Sequence, residues 1–457
     1  MDAFFCPNRV AIFGSFKEFA LGCGVIQNML DLGYKGRIYP VSQSHERVME
    51  LDAFPTISDV QDKVDLAIVI TPSATVPHIV EQCGQNGVKA AVVVSEHFAE
   101  AGKEGARLQQ QIVDITIGTG IRVMGPNTIG VLNTHNGLVS NPYLFDSHNL
   151  RKGSIAYSSQ TGIAAAQCQP LADRGYGISK MCDIGNKCDV DEVDIINYLA
   201  DDSQTKVITM HLEDVKDGRR FLTAAKNLIT KKPLLILKTG RSEAASKASA
   251  SHTGSLTGND VVYDAAFKQI GAIRVDSWQE FWDIPKVFAA QPLPKGNRIG
   301  IISYSGGAGV AAADTAAKAG LTIPVFSDST LEKVSRLSPR KAGNPIDLGP
   351  ILSSAYDPIS AQEKALVDVF NDVNIDCVAI GMYVGRLAPK DYMIELFDRV
   401  IPHVSKPFTL WLYGPTLAET QELARILEGR NVPTYTEFET AVKALGAAAQ
   451  YQALRNY

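Results

Sequence analysis

Short apolar runs rich in β-branched residues alternate with helical patterns along almost the whole chain, and this alternation narrows the possible folds more than any other feature. "RVAIFGS", "GRIYPV", "VDLAIVIT", "KAAVVVS" and "IRVMG" occupy the first third, with helical stretches such as "VPHIVEQCGQNG" between them. Strand and helix in repeated alternation is the mark of βαβ units around a parallel sheet. The runs are apolar at consecutive positions, as strands covered on both faces must be. A polar stretch from Asn133 to Gly153 breaks the pattern, and a second break rich in Pro and Gly, "AAQPLPKGN", spans Ala289 to Asn297. Beyond each break the same kind of strand returns: "GSIAYSS", "KVITMHLE" and "PLLILKTG", then "RIGIISYSG", "DCVAIGMY" and "PFTLWLYG". With roughly 150 residues per domain as a guide, a chain of 457 residues divides into three α/β domains, expected at 1–140, 150–290 and 295–457.

The second and third blocks also resemble each other. "GSIAYSSQTGIAAAQCQPLADRGYG" and "RIGIISYSGGAGVAAADTAAKAGLT" share a strand, a Ser/Gly turn, three alanines and a helix ending in Gly. Laying Gly162 on Gly309 makes them two copies of one α/β unit. A repeat of this length means duplicated domains and not a solenoid.

Charge and composition exclude several classes of partner. The net charge of −5 is spread without a basic block or an acidic tail, so neither nucleic acid nor an anionic membrane surface is favoured. No apolar stretch reaches the ~20 residues of a membrane span, and "MDAFFCPNRV" lacks the parts of a signal peptide. The expected location is the cytoplasm. The seven cysteines are scattered with no CxxC spacing, which suits thiols in a reducing compartment; neither disulfides nor a metal site are expected.

In open α/β sheets, ligands gather at the carboxyl ends of strands, where helix N-termini offer free N–H groups to an anion. "SSQTGIAAA", Ser158 to Ala166, is such a turn, and Ser159 and Thr161 can add hydroxyl donors; a plain capped helix start fits the same residues. The first strand's turn, "FGSFKEFALGCG", lacks GxGxxG, and no GxxxxGK[ST] occurs. A dinucleotide or P-loop nucleotide therefore has no fingerprint here. His252 stands alone in "SKASASHTGSLTGND" among Ser, Ala, Thr and Gly. An imidazole can form a covalent phospho-intermediate if the loop lets it approach a phosphate and a partner holds its other nitrogen. Gly254 and Gly258 give backbone freedom, and "NDVVYDAAFKQIGAI" reads as a following helix capped by Asn259 or Asp260. By itself the pattern also fits an exposed loop histidine.

"SHTGSLTG" resembles the phosphohistidine loop of the nucleoside-diphosphate-forming acyl-CoA synthetases, the superfamily of ADP-forming acetate–CoA ligase and succinyl-CoA ligase. "FFCPNRVAIFGS", "GYKGRIYPV", "VKAAVVVSEHFAEAG", "GPNTIGVLNT", "SSQTG", "GNKCDVDEVD", "LEDVKDGRRF" and "GNPIDL" follow in family order, so the resemblance covers the chain. It implies a Rossmann-like CoA-binding domain followed by two flavodoxin-like, succinyl-CoA ligase-like parallel-sheet domains. His252 matches the phosphorylated histidine, and Glu213 the carboxylate that hydrogen-bonds it. Gly125, Pro126, Asn127, Ser159, Gln160, Thr161 and Gly162 match loops that hold the acyl group and phosphate. Gly14, Ser15, Lys17, Ser73 and Glu96 match the CoA-binding side.

What the resemblance implies is an alpha subunit of an ADP-forming acid–CoA ligase, converting carboxylate, CoA and ATP into acyl-CoA, ADP and phosphate through phospho-His252 and an acyl phosphate. Nothing in these residues resembles an ATP-grasp domain, so an ATP-grasp beta subunit is expected as partner, in an α2β2 assembly, with the nucleotide and its Mg²⁺ on that partner. The family commonly has GAS where Gly14-Ser15-Phe16 stand, a Lys after "YPVNP" where this chain has "YPVSQS", "SAGF" in place of "SEHF", and "GPNC" where Thr128 stands. The missing Lys bears on how CoA phosphates are held. His97 and Thr128 fall where acyl or pantetheine recognition could change. A CoA-binding sensor of the same fold without ligase activity is the alternative, though such a protein would be expected to lose His252 or Glu213. A Rossmann oxidoreductase is a further rival, disfavoured by the missing glycine fingerprint.

Overall fold

The computed structural model describes residues 1–143, 147–164, 171, 174–245, 258–337 and 343–455. These fall into two compact units, the first built from residues 1–173 and 177–276 and the second from residues 174–176 and 277–457.

The first unit holds two sheets. β1 (Arg9–Gly14), β2 (Arg37–Val41), β3 (Leu66–Ile70), β4 (Ala90–Val93) and β5 (Arg122–Met124) form a parallel sheet in the order β2-β1-β3-β4-β5. Consecutive burial along β3 and β4 is what the apolar runs demanded, since helices cover both faces. The order reverses between β1 and β3, which opens a crevice outside their carboxyl ends. The helix α1 (Leu21–Asp31) follows β1, α2 (Val76–Gln85) follows β3 and α3 (Lys103–Thr119) follows β4.

The second sheet contains β6 (Val131–Asn133), β7 (Leu138–Val139), β8 (Lys152–Ser159), β9 (Ile178–Asp183), β10 (Val207–Leu212), β11 (Leu234–Lys238) and β12 (Ile273–Val275), in the order β12-β11-β10-β8-β9-β6-β7. β8 to β12 are parallel, as expected. The polar stretch read as a break contributes instead the short antiparallel edge, with β6 on β9 and β7 on β6. Two of its polar side chains are bonded internally: Asn133 Nδ2 donates to the Phe5 carbonyl at 2.9 Å and Thr134 Oγ1 to the Ile178 carbonyl at 2.6 Å. Helices α4 (Glu192–Asp201), α5 (Gly218–Ile229) and α6 (Asp260–Ile270) complete the layer. The cap of α6 is Asn259, whose side chain accepts from Val261 N–H at 2.9 Å.

The second unit carries β13 (Ile299–Ser303), β14 (Ile346–Asp347), β15 (Cys377–Tyr383), β16 (Phe408–Tyr413) and β17 (Thr434–Tyr435), parallel in the order β14-β13-β15-β16-β17, with α7 (Gly306–Lys318) after β13. Its first turn repeats the chemistry of the turn after β8. Thr161 N–H donates to Ser159 Oγ at 3.0 Å and Oγ donates to the Thr161 carbonyl at 2.9 Å; Ser305 N–H and Ser303 Oγ do the same at 3.0 and 2.7 Å. Ser159 is in register with Asp183 as Ser303 is with Asp347. The structural equivalent of Gly162 is therefore Gly306, not Gly309. Alignment on the alanine runs slips by three residues, close to one helical turn, so it keeps the helix face while misplacing the strand end.

Gly105 in α3 tests the packing beneath the turn after β4. Ala is normally better than Gly inside a helix by ~1 kcal/mol, but a Cβ here would lie 1.9 Å from the Phe98 carbonyl oxygen. Backbone overlap outweighs propensity, so Gly105→Ala should lower stability by about 1–3 kcal/mol in urea unfolding; an increase would contradict this packing.

Candidate active site

Three adjacent strands of the second sheet end at one edge. Ser159 closes β8, Asp183 closes β9, and Glu213 and Asp214 follow β10. The Gln160 side chain locks two of these ends together. Its Oε1 accepts from Glu213 N–H at 2.6 Å and Asp214 N–H at 3.2 Å, while Nε2 donates to Asp214 Oδ1 at 2.8 Å. Lys187, at φ 53°, is only 2% exposed and donates to Asp214 Oδ1 at 2.7 Å, the Asp214 carbonyl at 3.1 Å and Glu192 Oε2 at 3.1 Å. Burial opposes ionisation of Asp214, yet Lys187 and Gln160 hold its carboxyl below the ordinary value. A buried cation with two carboxylates and a carbonyl around it is well paired, and removing it would strand their charge.

The loop after β5 interlocks with the loop after β9. Gly125 has φ 98° and Asn127 φ 57°, and the Gly125–Pro126 bond is cis. Asn186 N–H donates to the Pro126 carbonyl at 2.9 Å and Cys188 N–H to the Gly125 carbonyl at 3.1 Å, while Asn127 Nδ2 donates to Asn186 Oδ1 at 3.3 Å. At Gly185, φ 52°, a Cβ would lie 2.4 Å from the Pro126 oxygen; only glycine permits this approach. Asp183 then binds both loops, accepting from Ile129 N–H at 2.9 Å through Oδ2 and from Gly185 N–H at 3.1 Å through Oδ1. Its carboxyl is pushed up to about 6 by burial, with the Glu213 charge adding to the rise and the two amides opposing it. A Cβ on Gly162 would lie 2.3 Å from Ile129 Cδ1, so the Ser159–Gly162 turn sits directly on this loop.

Gly125, Pro126, Asn127, Ser159, Gln160, Thr161, Gly162 and Glu213 are thus brought together. His252 lies outside the described residues. Downstream of it, the Tyr263 hydroxyl in α6 accepts from Val215 N–H at 3.1 Å, which ties the start of that helix to the Glu213 turn. Thr128 is turned into the fold: its hydroxyl donates to the Asp183 carbonyl and accepts from Gly130 N–H at 2.8 Å, and the residue is 3% exposed. Sequence reasoning missed Asp183, Lys187 and Asp214. The strand-end Asp two residues before a Gly in "DIGNK" was the available signal for the first.

The CoA-side candidates occupy the carboxyl edge of the first sheet. Gly14 ends β1, where a Cβ would stand 3.3 Å from the Ile70 carbonyl of β3. Ser15 and Lys17 follow it, both exposed. Ser73 opens the single turn after β3, and Glu96 is exposed after β4. Ser95 Oγ donates to the Thr71 carbonyl at 2.5 Å, joining the turns of β3 and β4.

The family description "CoA binding domain" matches residues 8–134, and "Succinyl-CoA ligase like flavodoxin domain" matches residues 152–288. The chain is 34% identical to the alpha subunit of the ADP-forming acetate–CoA ligase II of Pyrococcus furiosus, over 98% of this chain and 97% of that protein. The chain belongs to the ADP-forming acyl-CoA ligase family. It is also 35% identical to the ADP-forming acetate–CoA ligase II of Archaeoglobus fulgidus, over 98% of this chain and 66% of that longer protein. This ligase chain thus spans about two thirds of the longer relative and nearly all of the alpha-subunit relative. Among solved structures it superposes on the acetyl-coenzyme A synthetase 1 of Ca. Korarchaeum cryptofilum in complex with phosphate and ADP, with a TM-score of 0.90 at 30% identity, covering all of this chain and 97% of that one.

One titration reports on the ligase site's interior. His211 is 1% exposed, with Nδ1 3.3 Å from Ser159 Oγ and Nε2 2.9 Å from Thr239 Oγ1. Burial, helped by Lys238, pushes its imidazole from 6.5 down to about 3. The unfolded imidazole takes a proton near 6.5 and the folded one does not until about 3, so this contribution is intact above 6.5 and is lost as pH falls toward 3. His211→Gln should flatten the melting-temperature profile across that window. A difference from the wild type that stays constant between pH 7.5 and 4.5 would contradict a buried neutral His211.

Proposed function

We propose that this ligase chain makes acyl-CoA from a small carboxylic acid, CoA and ATP, reversibly, with the phosphoryl group carried on His252 and an acyl phosphate as intermediate. The observation that carries the reading is the convergence of the Ser159–Gly162 turn, the Gly125–Asn127 loop and Glu213 at one sheet edge. Backbone N–H groups at the carboxyl ends of strands suit the oxyanions of phosphate and acyl phosphate, while the Ser159 hydroxyl is committed to the Thr161 carbonyl and shapes the turn.

In this reading the Glu213 carboxylate accepts a hydrogen bond from one ring nitrogen of His252, which leaves the other nitrogen as nucleophile and stabilises the imidazolium formed in transit. Gln160 and Lys187 position Glu213 through its turn. Catalysis is mostly placement and charge stabilisation, as phosphoryl transfer requires. CoA enters along Gly14, Ser15, Lys17, Ser73 and Glu96. Residues 1–140 serve CoA, 150–290 the phosphohistidine and 295–457 a second ligase-like fold. ATP and its Mg²⁺ are handled by an ATP-grasp beta subunit in an α2β2 assembly in the cytoplasm. The alpha-subunit naming of relatives covered end to end supports a separate partner, although longer single-chain relatives exist. The sensor alternative is disfavoured because both His252 and Glu213 are present.

The complete complex incubated with γ-labelled ATP should label this chain with an acid-labile, base-stable phosphate, as a phosphoramidate is. His252→Asn should abolish the label, and Glu213→Gln should slow its appearance by about 10²-fold or more. Full labelling of the His252 variant would refute the assignment.

A further inference from the structure

The inference that follows rests on the reading that CoA binds the first sheet. That sheet's order fixes which turns lie along so long a ligand. Its crevice is at β1 and β3, while Gly125–Asn127 follow β5, and β4 stands between β3 and β5. With strands about 4.8 Å apart, a molecule reaching from the crevice to that loop crosses the carboxyl end of β4. The residues there are Ser95, Glu96 and His97, and the Ser95 carbonyl accepts from Asn127 N–H at 2.9 Å. The reacting end of CoA therefore passes His97.

His97 is exposed and has φ 72°, a backbone region that L side chains rarely adopt. The surroundings impose it. Glu100 Oε1 accepts from His97 N–H at 2.7 Å and Phe98 N–H at 3.0 Å, and Oε2 accepts from Asn186 Nδ2 in the loop after β9. Gly105 leaves room for the Phe98 carbonyl beneath. A glycine would take the same conformation without steric cost, so an imidazole is kept here against the backbone's preference, and such strain gathers at functional positions. Among the described residues no hydrogen-bond partner occupies its ring nitrogens.

We propose that His97 is a further catalytic residue, the general base for the CoA thiol. A ring nitrogen takes the S–H proton as sulfur attacks the acyl phosphate carbonyl carbon; the C–S bond forms, the C–O bond to phosphorus breaks, and inorganic phosphate leaves. The thiolate is the nucleophile in such transfers, and imidazole is the side chain suited to accept its proton near neutrality. In the reverse direction the same imidazolium reprotonates the departing thiolate.

The test is thioester formation from acetyl phosphate or butyryl phosphate and CoA by the full-length chain, with no nucleotide present. His97→Gly should lower kcat about 10²-fold, change KM for CoA less than about threefold, and leave the melting temperature unchanged or raised. His97→Asn, also tolerant of positive φ, carries the same expectation. Added imidazole should restore part of the rate to the glycine variant, which a purely structural role would not predict. A glycine variant that keeps its rate within about threefold overturns this inference alone. Absence of thioester formation in the wild type overturns the underlying reading and the inference with it.

Discussion

The buried carboxylate of Asp183 is the contact on which the site depends. By accepting one amide from the loop after β5 and one from the loop after β9, it joins the edge of the first sheet to the edge of the second. An unpaired buried carboxylate would cost far more than two hydrogen bonds return, so the two amides must stay in place. That requirement explains the glycines and positive φ angles around them. Gly185 has room for no side chain against Pro126, and Asn127 is held in the left-handed region with its N–H on Ser95.

Rigidity on one side of the site contrasts with the chemistry expected on the other. Gln160, Lys187, Asp183 and His211 are buried and engaged with neighbours, so the turn proposed to meet the oxyanion is preorganised and would not have to reorganise as charge develops. Of the groups assigned to meet CoA, by contrast, Ser15, Lys17 and Glu96 are exposed at strand ends and Gly14 and Ser73 are partly exposed. A transferred group can thus approach a fixed cradle from a more accessible edge.

Much of this was legible in the sequence, for identifiable reasons. The long strands were readable because burial on both faces writes itself as consecutive apolar residues, and the turn "SSQTG" because strand-to-helix transitions carry Ser, Thr and Gly. The antiparallel edge at β6 and β7 was hidden because those strands are short and the polar residues at the end of β6 and just after it, Asn133 and Thr134, look solvated until their buried partners are seen. Lys187 could not be recognised: a lysine in "GNKCDVDEVD" reads as a surface charge, and only tertiary packing brings Glu192 and Asp214 around it. Thr128 had the opposite fate. It stood in a suggestive loop, and the structure commits its hydroxyl to the backbone.

The proposed reaction divides its labour, with the acyl–CoA chemistry on this chain and the nucleotide chemistry on a partner. It is tested most directly in the reverse direction, by giving the purified chain alone acetyl-CoA or butyryl-CoA with phosphate, with and without ADP. The expected result is release of free CoA thiol with trapping of acyl phosphate as hydroxamate, independent of ADP and with no ATP formed. ATP formation by the chain alone, or strict dependence of thiol release on ADP, would contradict it.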